Sequence, residues 1–191
     1  MGKERRLRLG ALAAAGFVFA LLCSGSVYAV SIQELISDYD VSFGDQIVAI
    51  MNPLASNECA QIYVFDASQD LQYCCVCPVS SSGLLDLSVE NNLLGVDDKV
   101  ERGVIEILPS QVPLQGNCAA TKPPSGSGAV LQAATYQVIP VLNVNKSFSP
   151  MSATAVKTYF ANVTVGSSEA TKLAKSCQGT PSCSCPTEPA E

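Results

Sequence analysis

The sequence has no histidine and no tryptophan, and only six tyrosines and six phenylalanines in 191 residues. Without histidine there is no Ser-His-Asp or Cys-His catalysis and no histidine-ligated metal. Without tryptophan, a sugar-binding face of stacked aromatics is disfavoured. Tyr63, Phe65 and Tyr73 are the residues that could form a small one, and cross-strand core packing is their plainer role. Charge is also scarce: charged residues make up 15% of the chain and the formal balance is −6. That acidic excess repels nucleic acid and anionic membrane surfaces, so neither is an expected partner.

Basic residues cluster where the fold does not need them. Lys3, Arg5, Arg6 and Arg8 precede an apolar run from Leu9 to about Leu22. Ser24-Gly25-Ser26 and Val27-Tyr28-Ala29 follow, with suitable residues at −3 and −1 of a cut before Val30. This is the tripartite pattern of a secretory signal peptide over residues 1–29, and the apolar run is shorter than a bilayer span. An uncleaved anchor is the alternative. Lipidation at Cys23 is disfavoured because Leu22 stands where a lipobox needs a small residue. Cleavage removes four basic residues and Glu4, taking Lys+Arg from 11 to 7 and Asp+Glu from 17 to 16, a balance of about −9. Residues 30–191 then read as one domain with no membrane span, placed in the periplasm or outside the cell.

Along that domain the pattern is of short strands. Ser31–Asp40 is a mixed lead-in, one helical turn or an edge strand. Asp45–Met51 is a continuous apolar strand, and Cys59–Asp66 is another, apolar on both faces as a central strand would be. Asp66–Asp70 turns into a return strand, Leu71–Val79. Leu85, Leu87 and Val89 alternate with Asp86, Ser88 and Glu90, which is half-buried strand. Asn91–Arg102 reads as a polar connection, Gly103–Leu108 as a strand stopped by Pro109, and Pro109–Gly128 as a long loop. Val130–Val144 is strand interrupted or pushed to an edge by Pro140, and Lys157–Val165 is the last strand. A short helix then starts at Ser168, with Glu169 in its first turn and Gly179 to end it. Seven or eight short strands with one C-terminal helix predict an all-β antiparallel sandwich, immunoglobulin-like in architecture.

What the chain has in plenty is cysteine. The leader takes one of nine, leaving Cys59, Cys74, Cys75, Cys77, Cys118, Cys177, Cys183 and Cys185. An even count in an exported chain is read first as disulfides. Cys74 and Cys75 are adjacent on a strand, point to opposite faces and should take different partners, while Cys75 and Cys77 share a face. A hairpin turning about Ser68 sets Cys59 opposite Cys77, so Cys59 is expected to pair with Cys77 or its neighbour Cys75. Cys118 should anchor the long loop, and the tail cysteines should combine one local bridge with one tie back to the sheet.

Two rival readings use the same residues. The first is a thiolate site for zinc, copper(I) or iron–sulfur built from Cys-Cys-x-Cys and Cys-x-Cys, although the spacing is not that of a zinc knuckle. The second is thiol–disulfide exchange at Cys183-Ser184-Cys185, where no basic neighbour lowers a thiol pKa.

Other candidates are weaker. Asp38/Asp40 and Asp97/Asp98 are carboxylate pairs in what read as polar connectors, and Asp38, Asp40 and Asp45 are scattered oxygen donors without a calcium-loop pattern. Ser125–Gly128 reads as linker rather than phosphate loop, and Asn145-Lys146-Ser147 and Asn162-Val163-Thr164 fit the glycosylation triplet. No catalytic residue, cofactor or metal is therefore expected.

The segment CAQIYVFDASQDLQYCCVCPVSSSGLLDLSV (Cys59–Val89), with a tail of helix, Cys and Cys-x-Cys (Leu173–Cys185), resembles a group of small uncharacterised exported bacterial proteins. The likeness covers most of the mature chain, and the CCVCP and SCSCP elements carry it. In this chain Gly179-Thr180-Pro181 replaces a longer Gly/Ser-rich spacer. The resemblance implies export and a cysteine framework, and it brings no functional residues. The expected function is a disulfide-stabilised structural or binding module with an unknown protein or envelope partner. The alternative is a thiolate metal-binding or redox protein.

Overall fold

The computed structural model describes residues 31–95, 100–112, 118–119, 124, 128–137 and 157–186. The expected leader, Asp97/Asp98, most of the Pro109–Gly128 loop, Val138–Val144 and the Asn145 triplet lie outside them.

Within the described residues the chain forms an antiparallel β-sandwich. β1 (Ser31–Asp40), β3 (Glu58–Asp66), β4 (Leu71–Val79), β6 (Arg102–Gln111) and β9 (Ala161–Gly166) make one sheet in the order β4-β3-β6-β1-β9. β2 (Gln46–Met51), β5 (Leu84–Ser88), β7 (Gln132–Gln137) and β8 (Lys157–Tyr159) make the other in the order β5-β2-β7-β8. Every recorded pairing is antiparallel. The inner faces meet in one core that includes Leu35, Val48, Ile50, Ile62, Val64, Leu87, Ile105 and Ile107, all buried. A smaller cluster on the outer face of the five-stranded sheet joins Ile32, Tyr63, Leu108 and Val165 to Ala170 of α1 (Ser167–Ser176). β3 is therefore packed on both faces, as its two-sided apolar pattern requires.

Several elements differ from the sequence reading, each for a local reason. The lead-in is no edge element: β1 lies between β6 and β9, and its polar residues Gln33, Glu34 and Ser37 mask its alternation. Pro109 does not stop β6, which runs to Gln111. The ladder to β1 ends at Ile107, so the missing proline N–H interrupts nothing there. The last strand divides at Phe160: Tyr159 pairs with β7 in one sheet and Ala161 with β1 in the other. Buried Phe160 sits at this crossover, its N–H donating to the Ala133 carbonyl at 3.3 Å. The Asn91–Arg102 connection begins inside a π-helical turn, Val89–Leu94, that buries Val89, Leu93 and Leu94. The N-cap of α1 is Gly166, without a side-chain cap, and Ser168 is already one residue inside.

One glycine is fixed by close approach. A Cβ on Gly103 would lie 1.8 Å from the Phe65 carbonyl oxygen and 2.9 Å from the Tyr39 ring. Tyr39 Oη donates to that same carbonyl at 3.2 Å, so β1, β3 and β6 converge on one point. Gly103→Ala should therefore destabilise the fold by roughly 1–3 kcal/mol, since neither neighbour is a free side-chain end. A thermal melt unchanged by the substitution would contradict this packing.

Candidate functional site

The cysteines are organised by β4. Cys74 lies opposite Tyr63 and belongs to the outer cluster, whereas Cys75 and Cys77 belong to the inner core. Alternation along the strand thus sends neighbouring thiols to opposite sides of the sheet. On the outer side Cys74 is bonded to Cys177, the residue that caps α1, with 5.9 Å between Cα atoms. On the inner side Cys75 is bonded to Cys183 and Cys77 to Cys185, with Cα separations of 5.2 and 5.5 Å. The tail accordingly starts outside the sheet, rounds the edge of β4 and ends inside. Hydrogen bonds follow the path: Cys74 N–H donates to the Pro181 carbonyl at 3.2 Å, and Ser184 N–H to the Asn92 carbonyl at 2.8 Å.

Two expected pairings are overturned. Cys59 is bonded to Cys118, not to Cys77 or Cys75, and it ties down the long loop. The reason is a β-bulge. Phe65 faces Leu71, the register of a hairpin centred on Ser68, but Val64 faces Tyr73 and Cys59 faces Pro78. One extra residue on β4 shifts the register and turns Cys59 and Cys77 to opposite faces. The tail also has no local bridge, because all three of its cysteines return to β4.

Among the described residues, one group of sulfurs is close enough to share a ligand: Sγ of Cys75, Cys77 and Cys185 lie within 4.8 Å of one another. The other sequence candidates disperse. Tyr63 is buried on the outer side, donating to Gln61 Oε1 at 2.8 Å, and Phe65 packs beside it. Tyr73 packs against the inner core, so the three make no common face. Asp38 and Asp40 lie on β1 rather than in a connector. The Asp40 carboxylate accepts from Ser42 N–H and Oγ and pairs with Arg102 at 3.1 Å; the Ser42 bonds hold its pKa below the usual range. Asp45 accepts the Glu90 N–H at 3.1 Å, which leaves the three aspartates in separate contacts.

A carboxyl cluster that the sequence reading passed over lies between sheet and helix. Glu34 and Glu106 share a side-chain hydrogen bond on the outer face of the five-stranded sheet, near Glu169 of α1. Burial, then the charge of Glu34 and that shared bond, then Glu169, push Glu106 up to about 7. Burial and Glu169 also raise Glu34, opposed by the bond to Glu106. The signal was present: Glu106 is the one charge inside GVIEIL, and Glu34 breaks the apolar side of β1. A third acid, Glu58, is buried and raised by desolvation. Ser56 Oγ donates to its Oε1 at 3.1 Å, while its Oε2 has no partner among the described residues.

Two measurements check this picture. Four bridges place the oxidised mass eight hydrogens below that of the reduced chain, and peptide mapping should recover the links 59–118, 74–177, 75–183 and 77–185. A 59–77 link would refute the shifted register. The second concerns pH. An acid raised from 4.5 to about 7 keeps its proton in the fold while the unfolded chain loses it. Its contribution is therefore complete below about pH 4.5 and falls away as pH rises to about 7. Glu106→Gln should flatten that decline in melting temperature between pH 5 and 8; an unchanged slope would remove Glu106 as its source.

Comparison with family models, with curated proteins and with solved structures finds no match to this chain.

Proposed function

We propose that the mature chain is a disulfide-stapled binding module of the periplasm or extracellular space, without catalysis of its own. Four bridges in one small β-domain suit an oxidising compartment. No helix among the described residues is long and apolar enough to cross a membrane. The kinship with exported cysteine-rich bacterial proteins rests on the CCVCP and SCSCP spacing and forms part of the same proposal.

The observation that carries the binding reading is an asymmetry between the two outer faces. α1 covers part of the outer face of the five-stranded sheet and buries Ala170 and Ala174. The outer face of the four-stranded sheet instead carries an apolar depression of about 160 Å³, lined by Met51, Leu84, Gln132, Tyr136 and Tyr159 together with small alanines. Tyr159 is 71% exposed, Leu84 62% and Met51 42%. Clustered exposed apolar side chains on a folded domain support a contact site for a protein partner. The β4 edge is strapped by the tail, which makes this face a better candidate than that edge.

A photo-crosslinking residue at position 84 in the exported chain tests the reading. The expected result is a discrete adduct in envelope or culture supernatant, lost in a Met51→Asp/Tyr159→Ser background whose melting temperature is unchanged. Adducts indifferent to those substitutions, or none, would refute this face as the binding surface.

A further inference from the structure

The two inner bridges of β4 are neighbours, and their closeness has chemical content. Cys75-Val76-Cys77 on the strand and Cys183-Ser184-Cys185 on the tail face one another residue for residue, 75 with 183 and 77 with 185. Three of the four sulfurs already lie within 4.8 Å of one another, and the fourth, Cys183, is bonded to one of the three. Four thiolates around a d10 cation at a metal–sulfur distance of about 2.3 Å stand roughly 3.8 Å apart. Once the bridges open, the bonded sulfurs separate to that spacing, and Cys75 Sγ needs to approach Cys77 and Cys185 by an ångström or less.

We propose that Cys75, Cys77, Cys183 and Cys185, once reduced, form a thiolate site for one soft d10 cation, copper(I) or zinc. The reaction is an exchange with a dithiol. A reductant thiolate attacks Sγ of Cys185, the most accessible of the four sulfurs, and the Cys77–Cys185 bond breaks with Cys77 leaving as thiolate. The reductant's second thiol closes onto the mixed disulfide and releases Cys185. Each bridge takes two electrons and two protons, and the dithiol becomes a disulfide. The same steps open Cys75–Cys183, and binding of the cation displaces the thiol protons.

Preorganisation survives that reduction because it does not depend on the two bridges alone. Cys74–Cys177 holds the tail six residues before Cys183, a tether of no more than about 20 Å, so the tail thiols stay at high local concentration. The Cys74–Pro181 and Ser184–Asn92 backbone bonds fix the intervening chain. The donor set is all sulfur, which selects copper(I) or zinc over hard cations. The inner side, where Cys75, Cys77 and Cys183 are buried, excludes water from the bound ion. This inference is independent of the partner-binding face, which lies on the other sheet.

The full exported chain, reduced anaerobically with a limited amount of dithiothreitol, should be titrated with copper(I) against a chromophoric chelator. The expected result is one copper(I) per chain, near-ultraviolet sulfur-to-copper absorption, and protection from alkylation mapped to positions 75, 77, 183 and 185. Cys77→Ser/Cys185→Ser should weaken binding by about 100-fold, Cys59→Ser/Cys118→Ser should not, and Cys74→Ser/Cys177→Ser should weaken it through loss of the tether. Folding is followed by near-ultraviolet circular dichroism. A reduced chain that loses its signal and does not regain it with copper(I) overturns the proposal. So does binding that persists unchanged in urea, or protection at Cys59 or Cys118.

Discussion

The structure depends on one stereochemical constraint, the alternation of side chains along β4. Because Cys74 must face out and Cys75 and Cys77 must face in, a tail that bonds to all three has to pass around the strand's edge. The bulge near the turn decides the remaining pairing by setting Cys77 opposite Ala60 instead of Cys59, which is left to meet Cys118. α1 is then positioned by both its ends: β9 leads directly into it through Gly166, and Cys177 fixes its last turn to β4. Helix, tail and long loop are placed by a strand of nine residues.

Much of this was legible in the sequence where polarity or composition changes over a few residues. Leu71–Val79 was read with the bounds it has, and the strands around Val48, Ile62 and Leu87 stand out by apolar run or alternation. β1 was not legible, because a strand flanked on both sides tolerates polar residues that find local partners. Gln33, for example, exchanges two hydrogen bonds with the Leu131 backbone at 3.0 and 2.9 Å. The bridge pattern failed for a sharper reason. A bulge leaves no mark in composition, yet one inserted residue inverts every facing assignment beyond it. Topology was equally hidden, since the break at Phe160 that sends β8 and β9 to different sheets lies within one unbroken β-like run.

The carboxyl cluster illustrates a different kind of information. Local sequence rules place a charge in water, and Glu34, Glu58 and Glu106 break that rule within strands of the five-stranded sheet. Such conflicts between local preference and global fold concentrate at positions with a task beyond packing. Here Glu34 and Glu106, on β1 and β6, bond to one another beside a helix whose apolar contact is small, centred on Ala170 and Ala174. The helix is thus held by a covalent bond at one end and by its direct continuation from β9 at the other.

The wrapped tail also imposes an order on biogenesis. The three cysteines of β4 find their partners 103 and 108 residues later in the chain. At ordinary rates of synthesis that interval is roughly 5–20 s. Throughout it, the edge of β4 is uncovered and its thiols are unmatched, while Cys59 and Cys118 can already close their loop. A chain of this design has its most vulnerable strand exposed for longest, and the segment from Cys177 to Cys185 converts an open sheet edge into a sealed one.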